Sequence, residues 1–357
     1  MAENEYHHDR LREALQSSLD AVDLEGIFRQ SGSADAWEGA AARVPYLPVD
    51  YSPAMMDYQL SYWNGNAKPT SDLSLVLHHD NRPCALWPLS VSQEEEGELR
   101  IGSSGGALRP PLFIAELAAK TIKSLTTKSL AALNHFCLDN GISGWESAES
   151  FIDASGLSDW HDKSMQLGAV ATLRHELFVD LTRSMAEIKA GFRKSYKALI
   201  TSGGKLWNVR LLTQADAAIW EEFRSLHLSV AGRATRSLDS WGAQHQAIAT
   251  GGAFFVYLRD ETGRMVGGGL FHVTRDESEY AVGAYDRNLF DKPLGHVVQY
   301  HAIEEMKRRN IRWYKLGPRF YPADVPLPTQ KELSIADFKQ GFASHTFPLF
   351  CLRYNVQ

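Results

Sequence analysis

Apolar and polar positions are most sharply patterned over residues 254–317. Residues 254–258 form an aromatic and β-branched run closed by Asp260-Glu261-Thr262-Gly263, which predicts a strand and a turn. Residues 265–273 predict a second strand. Gly267, Gly268 and Gly269 in its middle point to a bulge or to a group approaching the backbone closely. Asp276-Glu277-Ser278 reads as the next turn and residues 280–285 as a third strand. After a loop at 286–294, Val297, Val298, Ala302, Ile303 and Met306 recur at three-to-four spacing, which predicts a helix over 295–309. Residues 313–316 predict a fourth strand. The unit is therefore three antiparallel strands, a loop, a helix and a strand.

The same order occurs about 180 residues earlier, as a weak internal duplication. Residues 75–89 read as strand, Asp80-Asn81 turn and strand, 94–97 as a turn and 99–102 as a strand. A Gly/Pro-rich loop covers 103–111. A helix covers 126–140, with Leu130, Leu133, Phe136, Cys137 and Leu138 apolar. Residues 144–146 are the closing strand, in the place that Arg312-Trp313-Tyr314 takes in the second copy. Elsewhere the pattern predicts an amphipathic helix at 11–24 and an extended stretch at 44–49, where Pro45 and Pro48 exclude helix. A helix at 55–63 is expected under the first sheet. A helix with its loops is expected over 150–170 and a short buried strand at 176–181. One capped helix runs from Thr182 to Ile200, ended by Gly203-Gly204. A strand at 207–212, helices at 213–227 and 240–249, and a tail from 318 complete the chain.

At 357 residues the chain is long enough for two domains, each with its own core. Hydrophobic content of 44% and charged content of 22% are those of an ordinary globular protein. Cys84, Cys137 and Cys351 are far apart and no CxxC is present, which argues against a disulfide framework or structural zinc and fits the reducing cytoplasm. The N-terminal stretch is charged and has no apolar core of a signal peptide, and no apolar run reaches the ~18 residues of a membrane span. A net charge of −6 gives no support to a broad DNA-binding surface. GxSxG, HExxH and P-loop patterns are absent, which leaves hydrolase, zincin and NTPase readings without residues.

The repeated order of elements resembles that of a tandem acyltransferase of the GNAT type. Phe178-Val179-Asp180-Leu181-Thr182, followed by Phe192-Arg193-Lys194-Ser195-Tyr196 and Gly204-Lys205-Leu206-Trp207, is similar to the opening of the second half of FemAB-like proteins. Phe338-Lys339-Gln340-Gly341-Phe342 is similar to their closing FK-x-GF, and Leu316-Gly317 to their strand-ending LG. The likeness spans residues 70–345. It implies an α+β (mixed α/β) fold of two GNAT-like halves, each a mixed, mostly antiparallel sheet flanked by helices. The corresponding divisions are a helical extension at 1–40, a first GNAT-like domain at 41–172, and a second at 173–357 that carries the active site. The implied activity is acyl-CoA-dependent N-acyl transfer, with acetyl-CoA as co-substrate and no metal. The acceptor is a small amine, an amino sugar or nucleotide-linked amino sugar of surface glycan synthesis. Two departures stand out: the long helical arm of FemAB enzymes that use aminoacyl-tRNA is absent, and the GNAT pyrophosphate loop is not intact. Its nearest matches are 287–295 and 103–109. An aminoacyl-tRNA-dependent FemAB-type peptidyl transferase and a non-catalytic binding protein on a degenerate GNAT fold are the alternatives.

N-acyl transfer needs a base near an amine and donors for an oxyanion. The loop at 284–296 joins a strand to a helix N-terminus, where free N–H groups favour an anion such as a cofactor pyrophosphate. On the family pattern Arg287, Leu294, Gly295 and Val297 bind the cofactor. His296 and His301 are candidate bases, while Tyr285 could protonate a leaving thiolate and Asp286 orient a histidine or bind an ammonium. The plain alternatives are packed histidines, a packed aromatic and a turn residue. Arg233, Thr235 and Arg236 in the loop 230–237 suit a phosphate or carboxylate of the acceptor, because Arg binds such groups bidentately. His272, Lys315, Arg319 and Lys339 join them as substrate-binding candidates, with Tyr321 close by. Arg193, Lys194 and Lys197 read as a solvated helix face. The helix at 11–24 packs back on the body or on a partner chain, which leaves a homodimer open.

Overall fold

The computed structural model describes residues 2–31, 34–94, 97–150 and 156–356. The turn expected at 94–97 and the start of the 150–170 segment lie partly outside the described residues. Two compact units are present. One comprises Met1–Tyr46, Trp63–Leu173 and Leu349–Gln357; the other comprises Leu47–Tyr62 and Arg174–Pro348. Each is mixed α/β, with mostly antiparallel strands flanked by helices.

In chain order the first part of the molecule runs α1 (Ala2–Asp20), β1 (Glu25–Phe28), α2 (Ala34–Ala41) and α3 (Pro53–Gly65). It continues with β2 (Thr70–Asp72), β3 (Leu75–His79), β4 (Arg82–Trp87), β5 (Ser90–Gln93), β6 (Leu99–Gly102) and β7 (Leu112–Phe113). Then come α4 (Ala119–Asp139), β8 (Gly144–Ser150) and α5 (Asp159–Gln166). The expected β3–β4 hairpin turns at Asp80 and Asn81, whose φ of 51° and 59° is the left-handed pair a two-residue turn needs. That hairpin pairs with β1 and β7 in a sheet of its own, while β2, β5, β6 and β8 form another run. Strand β1 had no forecast.

The second part opens with β9 (Val170–Asp180), α6 (Met185–Gly191), α7 (Lys194–Leu206) and β10 (Asn208–Leu212). Next are α8 (Ala217–Ala231), α9 (Leu238–Ala249), β11 (Ala253–Arg259), β12 (Met265–Val273) and β13 (Glu277–Tyr285). It ends with α10 (Gly295–Arg308), β14 (Trp313–Arg319), α11 (Gln330–Gln340) and β15 (His345–Asn355). The strand order in this unit is β10-β11-β12-β13-β14-β9, antiparallel except for the β13–β14 pair. Alternation along β11 sends Phe254, Val256 and Leu258 to a core under α7 and α10, and Phe255 and Tyr257 to a core under α8 and α9. All of β12 is buried, which is why its sequence reads as a continuous apolar and glycine run.

Four expectations need correction. The single helix from Thr182 is two: Ser184 and Glu187 form a capping box for α6, and Phe192 adopts extended backbone (ψ 151°) before α7 begins. Gly203 lies inside α7, not at its end, because it packs beneath Pro293 and Val297. The helix expected under the first sheet, α3, contributes its 53–62 portion to the second unit: Tyr58 stacks on His272 with ring centres 5.7 Å apart. Glu277 and Ser278 are strand, not turn, since β13 must reach Trp313 to form its parallel contact. The expected tail also contains α11 and β15.

The three-glycine run admits aromatic rings. A Cβ on Gly267 would meet the Tyr285 ring at 2.6 Å, and one on Gly268 the Phe255 ring at 2.5 Å. The glycines themselves pair in regular register, and the bulges fall on either side of them, at Val266 against β11 and between Leu270 and Phe271 against β13. In β13, a Cβ on Gly283 would land on the Tyr280 hydroxyl. Gly283→Ala should therefore cost ~1–3 kcal/mol of stability, as overpacking of a filled core does. A shift in the urea midpoint checks this; an unchanged midpoint would mean Tyr280 can swing away freely.

Candidate active site

The parallel pair β13–β14 is short. Glu277, Ser278 and Glu279 stand opposite Trp313, Tyr314 and Lys315, and no further pair joins the two strands among the described residues. Beyond that point β14 pairs through Arg319 with β9, and residues 280–285 pair with β12. The strands thus fork, and the free edge of 280–285 faces the opening.

Charge collects at the base of the fork. Lys315 is 6% exposed, and its Nζ lies 3.4 Å from Asp50 Oδ2, 3.5 Å from Glu176 Oε1 and 3.4 Å from Glu279 Oε2. Lys339 reaches in from α11. Its Nζ lies 3.0 Å from where a Cβ on Gly317 would sit and 5.7 Å from the Tyr280 ring centre. Burial lowers the Lys339 pKa, with Glu279 opposing that shift and Lys315 adding to it. Tyr280 and Tyr285 share a hydrogen bond of 3.2 Å, and the Tyr314 hydroxyl donates to Gln299 Oε1 at 2.5 Å. Burial raises all three phenols, so they are protonated at neutral pH. The fork therefore offers an ammonium, a carboxylate next to a second ammonium, and neutral hydroxyls.

A second cluster surrounds Arg236. Its Nε donates to the Tyr58 hydroxyl (3.1 Å), and its Nη1 donates to His227 Nε2 (3.1 Å) and Thr235 Oγ1 (3.3 Å). Tyr62 and Trp241 each face the guanidinium at 5.9 Å. Burial, with Arg236 adding to it, holds His227 near a pKa of about 4, so it stays neutral and accepts. Among these contacts no carboxylate balances Arg236. His272, fully buried, stacks on Tyr58, and burial pushes its pKa down to about 4. Arg233 in the same loop is exposed.

A third cluster is the start of α10. The helix has no side-chain cap, yet Phe338 and Tyr285 cover it: a Cβ on Gly295 would lie 3.2 Å from one ring and 3.7 Å from the other. His296 is boxed by Tyr196 and Phe338, at 4.5 and 5.1 Å, and burial with Arg193 nearby brings its pKa to about 4. Leu294 and Val297 are core residues, and Arg287 is exposed. Asp286 accepts from Arg264 (2.8 Å) and from the Asn288 N–H (3.0 Å), with Arg264 keeping it ionised, so it holds the turn. His301 lies farther along α10 with Nδ1 2.8 Å from Glu304. Arg319 stacks on Tyr321 at 4.9 Å, beyond the fork.

The named residues thus divide. Lys315 and Lys339 meet at the fork, Thr235, Arg236 and His272 gather around Tyr58, and Tyr285, Asp286 and His296 belong to the covered helix start. Sequence reading missed Asp50, Glu176, Glu279, Tyr58 and His227. Glu279 falls between the turn expected at 276–278 and the strand expected at 280–285, and carried no signal of its own. Asp50 had none, since its partners lie far away in sequence.

The first unit carries a parallel contact of the same kind, Ile101 opposite Trp145, but closes it with its own chain. Leu108 donates its N–H to the Glu146 carbonyl (2.8 Å) and accepts from the Ala148 N–H (3.0 Å), lying alongside β8 where the fork would open. Among the described residues no group of three or more His, Cys, Asp or Glu side chains could hold a metal ion. No described helix is long and apolar enough to cross a membrane.

Solved structures share this fold. FemX matches with a TM-score of 0.67 at 11% identity, over 91% of this chain and 96% of that one. A conserved protein of unknown function from Bacteroides thetaiotaomicron gives 0.57 at 10% identity, covering 90% and 97% of the two chains. L-PGS from Bacillus licheniformis gives 0.52 at 13% identity, covering 84% and 91%. At these identities it is the fold that is shared, and the FemAB-like, GNAT-type fold expected from the sequence is the one observed. No protein-family model matches the chain, and no curated protein matches its sequence.

His227, His272 and His296 have folded pKa values of about 4, below the unfolded value of 6.5. The unfolded chain therefore binds more protons between those limits. Stability is full above pH 6.5 and is lost as pH falls toward 4. The fully buried His272 should contribute up to about 3 kcal/mol of that loss, at 1.36 kcal/mol per pKa unit. Urea midpoints at pH 7 and pH 5 test it. His272→Phe should flatten the pH dependence, and an unaltered slope would show that the ring reaches water.

Proposed function

We propose that the second unit transfers an acyl group to the amine of a small acceptor. The observation that carries this reading is the fork after Glu279 and Lys315, with the Lys339 ammonium beside it. The acyl donor lies along the free edge of 280–285 with its carbonyl toward the fork. The acceptor nitrogen attacks the carbonyl carbon, a C–N bond forms, and Glu279 takes the ammonium proton. Lys339 balances the charge that develops on the carbonyl oxygen, which a preorganised cation in a dry site does well. The C–S or C–O bond to the carrier then breaks, and the proton that Glu279 took passes to the carrier, which leaves as its thiol or hydroxyl. Glu279 takes the place of His296 and His301 as base in this scheme because it stands at the fork, whereas His296 is boxed by aromatic rings and His301 lies farther along α10.

Arg236 anchors the acceptor. A guanidinium whose described hydrogen-bond partners are all neutral favours a phosphate or carboxylate, which supports a nucleotide-linked amino sugar as acceptor; acetyl-CoA is the donor in this reading. One observation favours the second reading, an aminoacyl ester donor of the kind the FemAB resemblance implies. Phe338 and Tyr285 cover the start of α10, where the pyrophosphate of a coenzyme A would sit.

The test is mass spectrometry of products from the purified chain with UDP-linked amino sugars, offered either acetyl-CoA or aminoacyl-tRNA. Product from one donor selects between the readings; none from either leaves a binding protein. Lys339→Ala should lower kcat by ~10²–10³-fold with acceptor KM little changed. Arg236→Ala should raise acceptor KM by ~10–100-fold, the worth of a charged hydrogen bond. If both variants keep wild-type kinetics, neither the fork nor the Arg236 cluster serves the reaction.

A further inference from the structure

The chain has a net charge of −6, yet residues 188–215 carry six cations, Lys189, Arg193, Lys194, Lys197, Lys205 and Arg210, and no carboxylate. They span the end of α6, all of α7 and most of β10. Lys194, Ala198, Thr201 and Lys205 form one exposed stripe along α7, at helical spacing. Where that stripe ends, Leu206 is 47% exposed, and Phe290 in the β13–α10 connection is 65% exposed. Two contacts bring these segments together. Lys292 Nζ stands 5.8 Å from the Trp207 ring centre, and a Cβ on Gly203 would lie 2.8 Å from Pro293 Cγ. Phe290 and Leu206 thus stand exposed on two joined segments, with Lys292 and Lys205 near them in the chain and the Lys194–Lys205 stripe alongside; Asp291 lies in the same connection, and Asp337 pairs with Arg193.

Single exposed apolar side chains are ordinary on a protein surface. Exposed apolar tips ringed by lysines on a protein that is otherwise acidic have the composition of an interfacial contact, with ring and alkyl groups for the acyl boundary and ammoniums for the phosphates. We propose that this face docks the second unit on an anionic lipid bilayer, with Phe290 and Leu206 inserted and Lys194, Lys205 and Lys292 at the headgroups. A nucleic acid would also meet the lysines, and Phe290 offers one ring for a base, but a phosphate track makes no use of the exposed alkyl side chain of Leu206. The docking is independent of which donor or acceptor the fork takes.

Cosedimentation of the full chain with vesicles tests this. The protein should pellet with mixed phosphatidylglycerol–phosphatidylcholine vesicles, not with phosphatidylcholine alone, and salt should release it. Lys205→Glu and Lys292→Glu should each weaken partitioning by about tenfold, and Phe290→Ala by about fivefold. Lys120→Glu, an exposed position on α4 in the first unit, makes the same change in net charge and should leave partitioning unchanged. Circular dichroism melts confirm that each variant is folded. Equal binding to both vesicle types, or to neither, overturns the proposal. So does a Lys120→Glu effect as large as that of Lys205→Glu. Binding of a single-stranded RNA oligonucleotide that is lost in Lys205→Glu, with no vesicle binding, assigns the face to nucleic acid and overturns it too.

Discussion

The second unit is organised around keeping one ammonium charged inside protein. Lys315 sits in the middle of a sheet, 6% exposed, and an unpaired charge there would cost several kcal/mol. Its carboxylates come from three stretches: the turn at Val49–Tyr51, strand β9 and strand β13. Each must stay within reach of Nζ, which fixes those stretches relative to β14. The same demand explains why Leu47–Tyr62, so early in the chain, counts with a unit formed mainly after residue 173. Further bonds hold that stretch: Asp276 and Glu277 accept from the Leu47 and Val49 N–H groups at 2.7 and 3.1 Å, and Thr274 donates to the Leu47 carbonyl.

The fork follows from that anchor. Lys315 is the last residue of β14 opposite β13, and its ionic contact with Glu279 ties the strands at the point where they separate. Above it, aromatic rings replace a partner strand. Phe271 and Tyr280 stack at 5.3 Å, and Gly267 and Gly283 leave the space that Tyr285 and Tyr280 fill. These rings make the floor dry and hydroxyl-bearing, a surface on which a cation such as Lys339 acts more strongly than it would in water.

What the sequence disclosed depended on how local the physics was. Strand β12 and helix α10 matched their predicted starts, because an apolar run between turn signals and a three-to-four stripe are properties of neighbouring residues. The α6–α7 break was missed. Phe192 is helical by composition and is pulled into extended backbone by burial in the core beside Phe342, with ring centres 5.1 Å apart. At the candidate site, Lys315, Arg236 and Lys339 were legible as cations beside family-like motifs. Thr235 apart, their partners were not: Asp50 and Tyr58 lie more than a hundred residues from Lys315 and Arg236, and no spacing rule spans that distance. The histidines attracted attention for their intrinsic pKa, which burial then moved out of the useful range at His272 and His296.

The two units share a short parallel contact, although the first divides its strands between two sheets, and they differ in what lies beside that contact. In both, a tryptophan of the closing strand stands opposite the preceding strand, Trp145 against Ile101 and Trp313 against Glu277. In the first unit the Gly/Pro-rich loop then turns back. A Cβ on Gly102 would strike the Gly106 carbonyl, and that tight turn delivers Leu108 to bond both Glu146 and Ala148. The backbone groups that a ligand would need are thereby used within the chain. In the second unit the corresponding connection starts at Asp286, which accepts from Arg264 and from the Asn288 N–H, and among the described residues no strand pairs with the second edge of 280–285. A loop that folds in covers this edge in one copy, and the other copy keeps an edge without a partner strand, the edge that the proposed reaction uses.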